Sequence, residues 1–189
     1  MLRILIIGMN RCGTKNLSNL LAAQPTIAAV QSEHHAGIIE TNAFAALATK
    51  FPHIDIQEEY IGLVELWMKT DFLKCANVNK EFLYALSPRP INAGSMFRMI
   101  MDDYAMRCGC NAWLQKVSPQ ASESALNVMP DAIPIVIERH FWDALKSMHY
   151  LETKGQRPIS LHLIASVVWQ PRILRQLKRK KAIAVRFEN

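Results

Sequence analysis

The stretch ILIIGMNRCGTKNLSNLL, residues 4–21, decides the fold at the amino-terminal end of the chain. The run from Arg3 to Gly8 is continuously apolar after its first residue, which is typical of a strand buried on both faces of a parallel sheet. A glycine-containing turn with two cations follows, and apolar residues then recur at helical spacing as far as Gln24-Pro25. The stretch therefore predicts a strand, a turn and a helix.

Strand patterns and helix patterns alternate along the rest of the chain. Further strands are predicted at Thr26 to Val30, Ala112 to Val117, Ile133 to Glu138 and Ala182 to Phe187. Helices are predicted from Phe141 to Tyr150 and from Leu161 to Lys180. Residues 36–110 show mainly helical periodicity, which predicts a helical insertion. This alternation favours an α/β fold with three layers, built around a central parallel sheet.

Length and composition limit the class of protein. A chain of 189 residues without internal repeats or linkers is expected to form one domain, residues 1–189. The net charge of +6 favours anionic partners. No apolar run reaches the roughly 18 residues of a membrane span. The four cysteines show neither zinc spacing nor a disulfide framework, which favours free thiols and a cytoplasmic location. Neither a metal nor a nucleic-acid partner is expected.

The turn from Gly8 to Asn16 has the composition of an anion-binding loop at a helix amino terminus. It nearly matches the phosphate loop G-x-x-x-x-G-K-[ST], and we therefore expect a fold of the phosphate-loop type. However, Thr14 stands at the lysine position, and Lys15 stands where a magnesium-binding hydroxyl is needed. A sulfuryl group carries less charge than a polyphosphate and can be transferred with lysine and arginine alone, so a metal-free donor fits this turn better.

The turn resembles that of the sulfotransferases that use 3'-phosphoadenosine 5'-phosphosulfate. Their motif [RK]-x-G-T-x is matched by Arg11-Cys12-Gly13-Thr14-Lys15. The resemblance implies that this loop binds the 5'-phosphosulfate of the donor. The residues implied to bind the donor here are Arg11, Cys12, Gly13, Thr14, Lys15 and Asn16.

The longer segment RCGTKNLSNLLAAQPTIAAVQSEHH is similar to the glycosaminoglycan-type branch of that family. By this similarity Glu33 takes the place of the catalytic base, and His35 lies beside it on the acceptor side. The acceptor itself is expected to contact the insertion at residues 36–110, where no motif identifies it.

Two later segments resemble other elements of the family. MPDAIPIVIERHFWDALKSMHY is similar to the second signature, which implies that Arg139 and Ser147 hold the 3'-phosphate. AWLQKVSP is similar to a W-x-x-K-x-P strand, which implies that Lys116, together with Lys15, stabilises charge on the transferred group. The second signature departs from the family where His140-Phe141 replaces the usual Asp-Pro.

The resemblance predicts an enzyme that moves a sulfuryl group to a hydroxyl or amine of a small molecule or glycan and releases adenosine 3',5'-bisphosphate. Two alternatives remain open. One is an ATP-dependent kinase or nucleotide triphosphatase. The other is a non-catalytic relative that binds nucleotides or anions, because many members of the family continue beyond the strand end that Ala184-Val185-Arg186-Phe187-Glu188-Asn189 resembles. The chain is then either a shortened form or a fragment.

Overall fold

The computed structural model describes residues 1–8, 11–41, 43–118, 121–155 and 182–187. The strands in these ranges are β1 Leu2–Gly8, β2 Ile27–Ala28, β3 Gln31–Ser32, β4 Gly37–Ile38, β5 Ala112–Val117, β6 Ile133–Arg139 and β7 Ile183–Phe187. The helices are α1 Thr14–Ala22, α2 Ala43–Lys50, α3 Gln57–Trp67, α4 Asp71–Cys75, α5 Lys80–Tyr84, α6 Ala93–Arg107, α7 Ser122–Val128 and α8 Phe141–Thr153. The helix predicted from Leu161 to Lys180 lies outside the described residues.

Five parallel strands form the central sheet, in the order β2-β5-β1-β6-β7. Helices flank this sheet, so the predicted α/β architecture with a central parallel sheet is confirmed, and the arrangement is consistent with three layers. Strand β1 lies in the middle, and the side chains of Ile4 to Ile7 are buried. A strand covered on both faces needs apolar residues at successive positions, which explains its unbroken hydrophobic run.

The second predicted strand is shorter than expected. Only Ile27–Ala28 pairs with β5, whereas the prediction ran from Thr26 to Val30. The chain then turns into an antiparallel hairpin of β3 and β4, which the sequence pattern does not predict. Strands of two residues each have too few positions to produce a readable alternation of apolar and polar side chains.

Five helices, α2 to α6, lie between residues 43 and 107. Helix α6 begins with a capping box, in which Asn92 and Ser95 each accept a hydrogen bond from the other's backbone N–H. On α6 the buried ring of Phe97 stacks on Phe44 with ring centroids 4.4 Å apart. Phe97 also meets Trp113 of β5 edge to face at 5.9 Å. These aromatic contacts pack the helical segment against the β5 side of the sheet.

The buried hydrophobic residues of the sheet and of the helical segment belong to one connected cluster. Across the described ranges, no helix combines the length and the apolar character that crossing a membrane requires.

Candidate functional site

The connection that leaves β1 runs towards one edge of the sheet, and the connection that leaves β6 runs towards the other edge. From β1 the chain passes through α1 to β2, whereas from β6 it continues through α8 towards β7 at the other edge. Because β1 and β6 are adjacent and parallel, their carboxyl ends meet where these connections diverge. In open parallel sheets such a divergence leaves a crevice in which ligands bind. The topology therefore places the candidate ligand site at the residues that follow Gly8 and Arg139.

The described part of the turn after β1 has a strained backbone. Arg11 has a φ of 66° and Gly13 a φ of 87°, both in the left-handed region. Gly13 is the N-cap of α1, and its carbonyl accepts the hydrogen bond from the N–H of Leu17 at 3.0 Å. A left-handed conformation is readily adopted by glycine but is uncommon for arginine. The left-handed conformation is therefore favourable at Gly13 but unfavourable at Arg11.

Gly8 allows α1 to start close to the strand. A Cβ atom at this position would lie 2.6 Å from Cγ2 of Thr14 and 3.3 Å from the carbonyl oxygen of Ile137. Thr14 is buried, and it is the first residue of α1. The absence of a side chain at Gly8 thus brings the amino terminus of α1 against the carboxyl ends of β1 and β6.

Two hydrogen bonds connect the turn to the last residue of β6 and to α8. Nη1 of Arg139 donates to the carbonyl oxygen of Arg11 at 2.8 Å. Nε of Arg11 in turn donates to Oγ of Ser147 on α8 at 3.0 Å. Arg11, Arg139 and Ser147, which are up to 136 positions apart, are therefore in one hydrogen-bonded group. The two segments that the resemblance implies hold the donor, the turn after β1 and the segment of Arg139 and Ser147, meet at this group.

The turn presents uncompensated positive charge. The side chains of Arg11 and Lys15 are exposed, and neither forms an ion pair with a carboxylate in the part of the chain that the structure describes. The first turn of α1 contains no acidic residue. The unpaired N–H groups at a helix amino terminus and the helix dipole add to this positive potential. The arrangement is suited to an anion.

Lys116 lies one strand away from β1, near the same edge of the sheet. It is opposite Ile6 in the pairing of β1 with β5, two residues before the end of β1. Its ammonium group forms an ion pair with Oε2 of Glu40, a residue just after β4. The Lys116 side chain is 19% exposed and that of Glu40 is 35% exposed. An exposed carboxylate and a part-buried ammonium group thus form an ion pair on the strand next to β1.

A buried glutamine holds the segment that carries Glu40. Nε2 of Gln115 donates to the carbonyl oxygen of Ile39 at 2.9 Å and to that of Lys116 at 2.7 Å. Gln115 is fully buried, so its amide has no competing water. The backbone N–H of Ile39 also donates to the carbonyl oxygen of Val30 at 3.0 Å. These bonds position Glu40 next to Lys116.

The predicted base and its neighbouring histidine lie in the turn between β3 and β4. Glu33 and His35 are both exposed, and neither forms a hydrogen bond or an ion pair with Lys116, which pairs with Glu40. Asn19 of α1 holds this hairpin, because its Oδ1 accepts the N–H of Ile38 at 3.2 Å. A side chain at Gly37 would collide with Asn19. The hairpin is therefore fixed to α1, while Glu33 and His35 project from it into solvent.

The structure brings some of the predicted residues together and leaves others apart. Arg11, Arg139 and Ser147 form one group, and Gly13, Thr14 and Lys15 are at the start of the helix next to it. Cys12 is buried, so its contribution to a ligand site can come only through its backbone. Asn16 is exposed on α1.

Glu40 and Gln115 were not identified from the sequence. Glu40 is separated from Lys116 by 76 positions, and no local pattern relates the two. The one signal available was the polar residue at position 115 within the otherwise apolar strand AWLQKV, since a polar residue in a buried strand requires a hydrogen-bond partner.

Among the described residues, no group of three or more His, Cys, Asp and Glu side chains is arranged to hold a metal ion. In comparisons with known proteins, the chain matches no protein-family model and no curated protein sequence.

Proposed function

We propose that the protein is a sulfotransferase of the phosphate-loop type, which uses 3'-phosphoadenosine 5'-phosphosulfate as its donor and a hydroxyl or amine as its acceptor. The observation that carries the proposal is the hydrogen-bonded group of Arg11, Arg139 and Ser147. It joins a cationic turn at a helix amino terminus to an arginine on the neighbouring strand, at the point where the sheet connections diverge. Two anion-binding elements side by side fit a ligand that carries two separate phosphate groups.

The residues present fit this donor chemically. Arg11, Lys15 and the backbone N–H groups at the start of α1 would bind the 5'-phosphosulfate. Arg139 has a planar guanidinium suited to a second phosphate, and Ser147 adds a hydroxyl donor. The donor supplies an activated sulfuryl group, and its departing phosphate requires the cations of the turn for charge stabilisation.

Glu40 and Lys116 are the residues that we assign to the transfer step. Glu40 would accept the proton of the acceptor hydroxyl or amine as its oxygen or nitrogen forms a bond to sulfur. Lys116 would stabilise the negative charge that develops on the sulfuryl oxygens while the bond from sulfur to the 5'-phosphate oxygen breaks. This assignment differs from the expectation for Glu33, and the reason is the ion pair: Glu40 is the carboxylate that contacts Lys116.

The decisive experiment compares three nucleotides by titration calorimetry. We expect adenosine 3',5'-bisphosphate to bind without a divalent ion and at least about tenfold more tightly than adenosine 5'-monophosphate, because the second phosphate gains charged hydrogen bonds. ATP with magnesium is the third ligand. Equal binding of the monophosphate and the bisphosphate would refute the donor assignment, and preferential magnesium-dependent binding of ATP would favour the kinase alternative.

A second measurement separates an enzyme from a non-catalytic relative. The protein is incubated with the phosphosulfate donor, with and without a panel of sugars, phenols and amines, and release of the bisphosphate is followed by chromatography. Release that depends on an acceptor supports the proposal. Tight bisphosphate binding without any release would favour a protein that keeps the donor site but does not catalyse transfer.

A further inference from the structure

A cavity of about 500 Å³ lies in the helical segment, and its lining differs from that of the candidate site. It is lined by Gln57, Tyr60, Ile61, Tyr84, Leu86 and Arg89. All of these belong to α3, to the end of α5 or to the segment that follows α5. None belongs to a strand of the sheet or to the turn after β1. The volume is within the usual range for small-molecule sites, about 300–1,000 Å³.

Two tyrosines and an isoleucine give this cavity an apolar surface. The rings of Tyr60 and Tyr84 have centroids 6.2 Å apart and are inclined by 55°. Tyr60 is buried, and its hydroxyl donates to the carbonyl oxygen of Leu83 at 2.5 Å, which fixes the ring. Burial raises the pKa of Tyr60, so its phenol is neutral at ordinary pH. Tyr84 and Ile61 are 42% and 39% exposed, which leaves apolar surface open to a ligand.

Arg89 adds a positive charge to the same cavity. Its guanidinium carbon lies 4.2 Å from the centroid of the Tyr60 ring, and its Nη2 donates to Oε1 of Gln57 at 2.8 Å. Within the described ranges it makes no ion pair with a carboxylate and no other hydrogen bond. An arginine side chain has five N–H donors, so most of them are available to a ligand.

We propose that this cavity binds a small ligand with a planar aromatic ring that carries a carboxylate. The ring would pack against Tyr84 and Ile61, and the carboxylate would accept two parallel hydrogen bonds from Arg89, whose planar fork matches carboxylate geometry. Contact of Arg89 with the Tyr60 ring keeps the guanidinium plane in place before the ligand arrives. The proposal is independent of the sulfotransferase proposal, because the two sites share no residue.

The test uses 2-naphthoate as probe and neutral 2-naphthamide as its isosteric control. The protein is labelled with ¹³C in the isoleucine methyl groups, so that Ile61 reports from the cavity wall. We expect 2-naphthoate to shift the Ile61 methyl resonance saturably and 2-naphthamide to bind at least about tenfold more weakly, because the charged hydrogen bonds are lost. Absence of a saturable shift up to the solubility limit of 2-naphthoate would overturn the proposal, as would equal affinity for the acid and the amide.

Three variants locate the binding. Arg89→Gln should bring the affinity for the acid down to that for the amide, whereas Tyr84→Ala should weaken both. Arg98→Gln, an arginine on α6 that is paired with Asp131 at 3.7 Å, serves as the matched control and should change neither. The dispersion of the remaining isoleucine methyl resonances verifies that each variant is folded. If 2-naphthoate binds the folded Arg89→Gln and Tyr84→Ala proteins as tightly as the wild type, the proposed site is wrong.

Discussion

Nη1 of Arg139 donates a 2.8 Å hydrogen bond to the carbonyl oxygen of Arg11, so the end of β6 is tied to the turn after β1. The bond joins residues 128 positions apart, at a place where adjacent parallel strands send their connections in opposite directions. Arginine is well suited to such a junction, because its planar guanidinium carries several N–H donors and matches phosphate geometry. The junction is both a structural tie and the centre of the proposed donor site.

Replacing Arg139 with alanine should therefore weaken a bisphosphate more than a monophosphate. We expect the affinity for adenosine 3',5'-bisphosphate to fall by about 10- to 100-fold, since hydrogen bonds to charged groups contribute roughly 1.5–3 kcal/mol. The affinity for adenosine 5'-monophosphate should fall less. Lys146→Ala is the matched control, because Lys146 is an exposed cation on α8 next to Ser147. Equal losses for both nucleotides in Arg139→Ala would show that the arginine supports the turn without reading the second phosphate.

Two conservative variants distinguish Glu40, the proposed base, from Glu33, the base that the family resemblance implies. Glu40→Gln should retain bisphosphate binding but slow sulfate transfer by about 10²- to 10⁴-fold, the usual contribution of a general base. Glu33→Gln should leave transfer close to the wild-type rate, because Glu33 is exposed in the hairpin turn and forms no hydrogen bond or ion pair with Lys116. Transfer is measured as acceptor-dependent release of the bisphosphate. The reverse result, with Glu33→Gln inactive and Glu40→Gln active, would return the role to Glu33.

These two glutamates show how far the sequence could predict the site. Arg11 follows β1, Arg139 ends β6 and Ser147 lies on the helix after β6. The apolar runs of both strands are readable, and the carboxyl ends of adjacent parallel strands lie at one edge, so the proximity of these residues could be expected. The ion pair of Glu40 with Lys116 depends on the β3–β4 hairpin, which is fixed by Asn19 and Gln115 through tertiary hydrogen bonds. Such bonds leave no periodic pattern.

The fold also contains some features that a sequence pattern predicts and others that depend on tertiary contacts. The long buried strands were predicted closely: β5 has the predicted bounds Ala112–Val117, and β6 extends one residue beyond the prediction to Arg139. Strand β2 was predicted too long, because the apolar run from Ile27 to Val30 continues past the two residues that pair with β5. Burial in the core, and not sheet pairing, accounts for Ala29 and Val30, and a hydrophobic pattern cannot separate the two.

Gly8→Ala tests whether close contact between β1 and α1 shapes the turn. The new methyl group would lie 2.6 Å from Cγ2 of Thr14, and relieving that overlap requires a shift of the buried Thr14 side chain or of the start of α1. We expect a loss of roughly 1–3 kcal/mol in the free energy of unfolding, as is typical of overpacking. The increase in the free energy of unfolding that adenosine 3',5'-bisphosphate produces should fall as well. Both quantities are measured by urea unfolding with and without adenosine 3',5'-bisphosphate.

The control for this prediction is a second substitution at Thr14, the residue whose Cγ2 the new methyl group would overlap. Thr14→Ser removes Cγ2, so the double variant Gly8→Ala/Thr14→Ser should recover part of the lost stability. The remaining deficit would come from the carbonyl oxygen of Ile137, at 3.3 Å from the added Cβ. Strictly additive effects of the two substitutions would show that the clash with Thr14 is not the cause, since contacting residues are expected to couple.

Asp102 on α6 connects the start of the sheet to the helical segment, and its loss should destabilise the whole fold. Its carboxylate accepts hydrogen bonds from Nε of Arg3 at 3.1 Å, Nη2 of Arg3 at 2.6 Å and Nε1 of the buried Trp113 at 2.7 Å. Asp102→Ala leaves the indole N–H without its acceptor and Arg3 with Asp131 alone. We expect a loss of roughly 2–4 kcal/mol, because a partner of a part-buried charged network is removed.

Asp103→Ala provides the comparison, since it introduces the same residue one position along the same helix. Asp103 pairs with Arg107 at 2.8 Å at the surface, and such a pair contributes about 0–1 kcal/mol. The gain in helix propensity on changing aspartate to alanine is the same at both positions, so it cancels in the difference. Urea unfolding followed by Trp fluorescence and by circular dichroism measures both variants. Similar stabilities of the two variants would mean that the contacts of Asp102 with Arg3 and Trp113 contribute little to holding α6 against the sheet.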